Sequence, residues 1–181
     1  MNLQRPAIIG GVLIALGLTS CDPERALGPR RRARRLAVAA HELYLKGNYA
    51  DALPLYEKAV QLHSADIVAQ RGIVETRLKL QQYDLAVHDA DVALARFPSD
   101  WMLLEARADA LVALDKRDDA IRDYRRCIEM DPSGYWEPWM KLASVQVAVG
   151  ATDDARATYL DLLSRYPGHK EARKALAELK P

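Results

Sequence analysis

The sequence predicts an all-α protein of the α-solenoid type, in which similar helical hairpins stack in a line. The first observation is a repeat: alanine recurs at positions 52, 86, 120 and 155, at intervals of 34, 34 and 35 residues. The second is spacing, because tyrosine or alanine follows each of them by four residues and a small or apolar residue by seven, which places all three on one helical face. The third is a stop signal, since proline, or Ser64 in the first copy, comes five residues later. Repetition at this period indicates units that bury their apolar faces only against neighbours.

The repeat divides the chain into consecutive segments. We assign the repeats to residues 33–66, 67–100, 101–134 and 136–169, and the one long interval to the longer junction at 131–136. Pro54 is expected in the first turn of a second helix, where its missing N–H costs little. Residues 170–181 place Ala172, Leu176 and Leu179 on one face, which predicts a helix that caps the last repeat.

The motif resembles the tetratricopeptide repeat. Its period, its small-aromatic-small triplet and its final proline match that family, as do Trp139-x2-Leu142-Ala143 and the turn Gly47-Asn48-Tyr49. The match is weakest in the second repeat, where the first helix reads Gln70-x2-Ile73-Val74. The resemblance implies a right-handed superhelix of four helix pairs plus the terminal helix.

The same resemblance implies that a concave groove, lined by the first helices, carries the function. The family's groove positions fall on Arg34, His41, Arg71, Glu75, Glu105, Asp109, Met140, Lys141 and Ser144. They lack the Lys/Asn/Arg set with which chaperone-associated members hold a C-terminal carboxylate, which disfavours a receptor for chaperone tails. The acidic side chains suggest a basic or amphipathic partner segment. The alternative is that they solvate an unused face.

Tyr135 and Trp136 lie in the lengthened junction and are candidates for an exposed aromatic contact. Trp139, at the family's packing position, is expected in the core.

The N-terminal residues 1–20 are typical of a secretory signal. Arg5 precedes an apolar run from Ala7 to Leu18, which is shorter than the about 20 residues that a transmembrane helix needs. The run ends in Leu18-Thr19-Ser20-Cys21, which resembles the lipobox of bacterial lipoproteins, so Cys21 is the predicted site of acylation. Two alternatives stay open: an accidental cysteine, and an uncleaved anchor that holds the repeats in the cytoplasm.

Residues 21–32 contain two prolines and a glycine, which predicts a tether. Five arginines between positions 30 and 35 overlap the start of the first repeat. They fit attraction to anionic lipid head groups or, equally, a solvated helix start. No aromatic residues interleave with them, which argues against nucleic acid.

Composition gives little sign of chemistry. The chain has 26 basic and 25 acidic side chains, a balance that argues against a nucleic-acid binder. The four histidines lack metal-binding spacing, and Cys127 stands where the earlier repeats have alanine, which favours a buried thiol. We therefore expect no enzyme activity, cofactor, metal or small-molecule substrate.

These observations predict a lipid-anchored scaffold of a bacterial cell-envelope complex that faces the periplasm or the exterior and docks a protein segment. A permanent structural subunit, as in a pilus or secretion assembly, and a cytoplasmic membrane-anchored adaptor are the alternatives.

Overall fold

The protein is described by a computed structural model that covers residues 28–131 and 134–179. Within these ranges all regular structure is helical, which confirms the predicted all-α solenoid. The helices are α1 (Pro29–Leu45), α2 (Tyr49–Leu62), α3 (Ile67–Lys79), α4 (Tyr83–Arg96), α5 (Trp101–Ala113), α6 (Arg117–Met130), α7 (Glu137–Ala148), α8 (Thr152–Arg165) and α9 (Lys170–Glu178). No helix in the described ranges is both long enough and apolar enough to cross a bilayer.

Each helix packs on the next one, and the first helix α3 also touches the first helices on either side of it, α1 and α5. The alanines that mark the repeat are fully buried at all four positions. The tyrosine of the first repeat, Tyr56, is 2% exposed and its ring lies so close to Gly72 of the next hairpin that a Cβ atom there would clash with it. Small residues at these crossings let neighbouring helices approach, so the core runs along the array as a series of clusters.

Two helices differ from their predicted positions. Helix α1 begins at Pro29, inside the segment 21–32 predicted as tether, because proline suits the first turn of a helix and Gly28 precedes it. Pro54 lies in the second turn of α2, since that helix begins at Tyr49, so the prediction of a first-turn proline was wrong. The second repeat, weakest on sequence, nevertheless forms both α3 and α4.

Two arginines hold successive hairpins together, a feature that was not predicted from the sequence. Arg107 on α5 donates two hydrogen bonds of 2.7 Å to Asp123 on α6 and also pairs with Asp91 on α4. Its guanidinium group therefore ties the second helix of its own hairpin to the second helix of the preceding one. Arg77 on α3 does the same one repeat earlier, with Glu57 on α2 and Asp89 on α4.

The turn inside each hairpin ends its first helix in the same way. Gly47, Gln81, Asp115 and Gly150 all have φ between 58° and 80°, and each N–H bonds back to the helix that it ends. At Gln81 the following N–H, from residue 82, also reaches the carbonyl of Arg77 at 2.9 Å, which completes a Schellman motif. Glycine suits this left-handed backbone, whereas Gln81 and Asp115 adopt it at a cost.

We therefore expect Gln81→Gly to raise the free energy of unfolding by about 0.5–1 kcal/mol, because the side chain no longer opposes the left-handed conformation. Urea denaturation of the purified chain measures this change. The matched control is Gln82→Gly, one residue further on, where φ is −88° and glycine brings no relief of strain. There the substitution adds flexibility to the unfolded chain and removes an exposed hydrogen bond from Arg77, so we expect a small loss of stability. Equal effects of the two substitutions would contradict the assigned cause.

Candidate binding groove

A groove of about 520 Å³ lies on the inner face of the array. Its floor is formed by α3 and α5, with contributions from the end of α1 and the start of α7. The lining residues are Tyr44, Glu75, Leu78, Lys79, Tyr83, Trp101, Met102, Glu105, Ala106, Asp109, Ala113, Tyr135 and Lys141. The face is therefore aromatic at several points and mixed in charge.

The structure brings four of the predicted groove residues together in this one space, namely Glu75, Glu105, Asp109 and Lys141. It places the other five elsewhere. Arg34 and His41 line a separate hollow of about 620 Å³ beside α1. Arg71 is held by Asp100 at 3.0 Å, Met140 is half-buried against the cluster around Trp139, and Ser144 is exposed.

Lys141 pairs with two of the three groove carboxylates, and its single charge leaves one negative charge in excess among the three groups. Its Nζ atom lies 2.8 Å from Glu105 and 2.7 Å from Asp109. Burial alone lowers the pKa of Lys141, but the charges and hydrogen bonds of Asp109 and Glu105 outweigh burial, so the pKa is raised. The Tyr124 hydroxyl donates a further hydrogen bond of 2.5 Å to Asp109. These two acids are thus engaged within the protein.

Glu75 is different, because its carboxylate makes no hydrogen bond or ion pair with any described residue. Burial raises its pKa and the charge of Glu105 adds to the rise, while the positive charges of His41, Arg71 and Lys79 act in the opposite direction. The residue is only partly exposed. The groove therefore contains one acidic side chain that makes no direct ion pair or hydrogen bond with a described residue.

A difference between the repeats explains why Glu75 has no hydrogen-bond partner on the second helix of its own hairpin. In the first and third repeats the second-helix tyrosine reaches the equivalent groove position of its own hairpin: Tyr56 to His41 at 3.4 Å, and Tyr124 to Asp109. In the second repeat the corresponding residue is alanine, at position 90, which has no hydroxyl to offer. This absence was visible in the sequence, but its consequence for Glu75 emerges only from the geometry.

Aromatic side chains border the groove on several sides. Tyr135, 40% exposed, lies 6.0 Å from Trp101 between ring centres, and both line the groove. Trp136 is 38% exposed but packs edge-on against His169 at 4.4 Å, away from the groove lining. Of the two aromatic candidates in the junction, Tyr135 is therefore the one placed to meet a molecule in the groove. Trp101 and Tyr83 also line the groove, although neither was among the predicted site residues.

The described residues show little that resembles a reaction centre. No group of three or more His, Cys, Asp or Glu side chains among them is arranged to hold a metal ion. Cys127 is fully buried, and burial, with Glu105 nearby, raises the pKa of its thiol to about 12, so the thiol stays protonated at neutral pH. Cys127 thus serves as a small core residue.

Comparisons with known proteins agree with this geometry. Two models of the tetratricopeptide repeat match the chain, one over residues 71–135 and the other over 111–179. The DnaJ homolog subfamily C member 7 homolog of Schizosaccharomyces pombe is 36% identical over 109 residues, which are 57% of this chain and 22% of that protein. The chain spans about a fifth of the length of the curated relatives that it matches.

Two solved structures show the same fold. TTC0263, a thermophilic TPR protein of Thermus thermophilus, is 25% identical with a TM-score of 0.65, covering 81% of this chain and 80% of that one. The first TPR of Spaghetti (RPAP3), bound to the HSP90 peptide SRMEEVD, is 23% identical with a TM-score of 0.64, covering 67% of this chain and 95% of that one. The family matches, the repeat period and the helical hairpins agree. The chain therefore contains tetratricopeptide repeats.

Proposed function

We propose that this protein is a lipid-anchored scaffold of a bacterial cell-envelope complex and that it binds a segment of a partner protein in its concave groove. The observation that carries the proposal is the groove itself, an open space of about 520 Å³ on the inner face of α3 and α5, bordered by aromatic side chains. A solenoid presents such a surface because its hairpins stack in a curve. The bound peptide in the RPAP3 structure supports the use of this architecture for peptide docking.

The membrane part of the proposal rests on the sequence around Cys21, which lies outside the described residues. The arginines at the start of α1 support it. Arg30, Arg31 and Arg34 are exposed and make no ion pair with a described residue, whereas the arginines at positions 71, 77 and 107 are all paired. Each unpaired arginine near an anionic surface would contribute about 1 kcal/mol of attraction. Anchoring would raise the effective concentration of a partner in the same membrane.

A permanent structural subunit is the second candidate, and an exposed apolar surface favours it. Val38 on α1 is 54% exposed and Val68 on α3 is 57% exposed, and both line the hollow beside α1. Helix α9 covers the other end of the array. A partner permanently seated against α1 would bury these side chains.

The proposal is tested by site-specific photo-crosslinking of the full-length protein in a bacterial host, with benzoylphenylalanine in place of Met102 in the groove. The matched control carries the same group in place of Leu160, which is 52% exposed on α8 and does not line the groove. We expect a discrete partner crosslinked at Met102 and absent at Leu160, and mass spectrometry to show an acylated Cys21 as the first residue. Crosslinks at Leu160 alone would contradict groove docking.

The N-terminus decides the location separately. An intact N-terminal segment would replace the lipoprotein with the cytoplasmic membrane-anchored adaptor. If the protein is found only in an oligomer whose contacts are formed by α1, the permanent subunit would be favoured.

A further inference from the structure

Glu75 is the acidic residue of the groove that makes no hydrogen bond or ion pair with a described residue. Its carboxylate accepts no hydrogen bond from a described residue, although it is partly buried among α1, α3 and α5. A carboxylate has only acceptor sites to offer. Partial burial of that charge without a direct hydrogen bond or ion pair is unfavourable.

We propose that the groove receives a basic partner segment and that one lysine or arginine side chain of this segment pairs with Glu75. This inference rests on the proposed function, because it names the chemistry of the segment that the groove docks. It does not depend on the lipid anchor.

The charges around the groove favour this occupant. Glu105 and Asp109 both form an ion pair with Lys141, and the group of three still carries one negative charge in excess. Asp100, beside the groove, is likewise held by an arginine, at position 71, through bonds of 3.0 Å. Glu75 alone among these acids lacks such a partner, and an incoming cation would supply it.

Aromatic rings stand near the same point. Tyr44 is close enough to Glu75 for the carboxylate to contribute to the rise in the pKa of Tyr44, after burial. Trp101 and Tyr135 line the groove beyond it, with their rings 6.0 Å apart. The faces of such rings attract lysine and arginine side chains, and their edges pack the aliphatic stems. A cationic side chain in this groove could therefore pair with the carboxylate and also pack against the aromatic rings.

An acidic segment fits the groove poorly. The peptide SRMEEVD of the RPAP3 complex carries three acidic side chains against one arginine. In this groove the acidic side chains would approach Glu75, while Lys141 is already engaged. Lys79 is the exposed cation of the lining, and it lies on the same helix as Glu75. Like charges brought together in a partly desolvated site are unfavourable.

The test is selection of binding peptides from a random display library on the full-length protein, followed by affinity measurement of the selected peptides by fluorescence anisotropy. Three targets are compared: the unchanged protein, Glu75→Gln, and the matched control Glu105→Gln, which removes an acid that already has an ion pair with Lys141. We expect peptides with a shared lysine or arginine, whose affinity falls about tenfold in Glu75→Gln and by clearly less in Glu105→Gln. Circular dichroism and thermal melting of each variant check that the fold is unchanged.

The outcomes separate this inference from the proposed function. Peptides that crosslink to benzoylphenylalanine at position 102 but share no basic residue, or bind Glu75→Gln unchanged, would overturn the role of Glu75 while leaving groove docking intact. Selection of acidic peptides that contain no lysine or arginine would have the same meaning. Peptides that crosslink only at position 160, or a library that yields no binder, would count against both.

Discussion

Ala120→Trp is expected to abolish cooperative folding of the helical array near its centre. Ala120 on α6 is 0% exposed and belongs to the cluster that joins α5, α6 and α7 through Leu111, Tyr124 and Leu142. Even a few extra methylene groups in such a core cost about 1–3 kcal/mol. An indole ring adds far more volume at a close crossing, so the two hairpins on either side lose their contact.

The measurement is thermal and urea unfolding followed by circular dichroism. Ala157→Trp is the matched control, because Ala157 is exposed on α8, two residues after Ala155, the repeat-equivalent of Ala120. We expect the control to melt close to the unchanged protein. A cooperative transition of Ala120→Trp at the wild-type temperature would show that the assigned helix crossing is wrong.

Arg107→Leu is the second substitution with a large expected effect. It leaves the carboxylate of Asp123, whose side chain is 6% exposed, without the guanidinium that now meets both of its oxygens at 2.7 Å. Removing one partner of a buried ion pair costs about 3–5 kcal/mol. Since the side chain of Arg107 is 19% exposed, solvent screening places the expected loss of stability at about 3 kcal/mol.

The double variant Arg107→Leu/Asp123→Leu distinguishes the effect of the ion pair from the effect of the packing of the Arg107 side chain. Removing both charges eliminates the stranded carboxylate, so we expect most of the lost stability to return. Asp91→Leu alone provides a contrast, because the side chain of Asp91 is 55% exposed and its ion pair with Arg107 is screened by solvent. Urea unfolding of these proteins, together with the single variant Asp123→Leu, measures the coupling of the pair. A double variant as unstable as Arg107→Leu would show that the guanidinium matters through its bulk.

The period of the alanines was sufficient to predict the hairpins, because the spacing that places apolar residues on one helical face is local in the sequence. Pro54 was misplaced because the start of α2 depends on the turn at Gly47, which the proline does not control. Of the turns that end the first helices, only Gly47-Asn48-Tyr49 was predicted from the sequence. Gln81 shows the limit of the pattern, because it adopts a left-handed backbone conformation that glutamine rarely adopts.

The groove was harder to predict than the fold. Glu75, Glu105, Asp109 and Lys141 all fell on groove positions, but which carboxylate Lys141 would meet depends on the reach of a long side chain across two helices. The arginine clamp at position 107 was missed for the same reason. The predicted groove residues at positions 34 and 41 line another hollow, because α1 lies at the end of the array with no hairpin before it in the described residues.

The hairpins of this protein pack chiefly on their immediate neighbours, and this has a mechanical consequence. A force applied between the two ends would act on every interface between hairpins in series. The weakest interface would therefore separate first. The arginine clamps at positions 77 and 107 stiffen the joints that they cross.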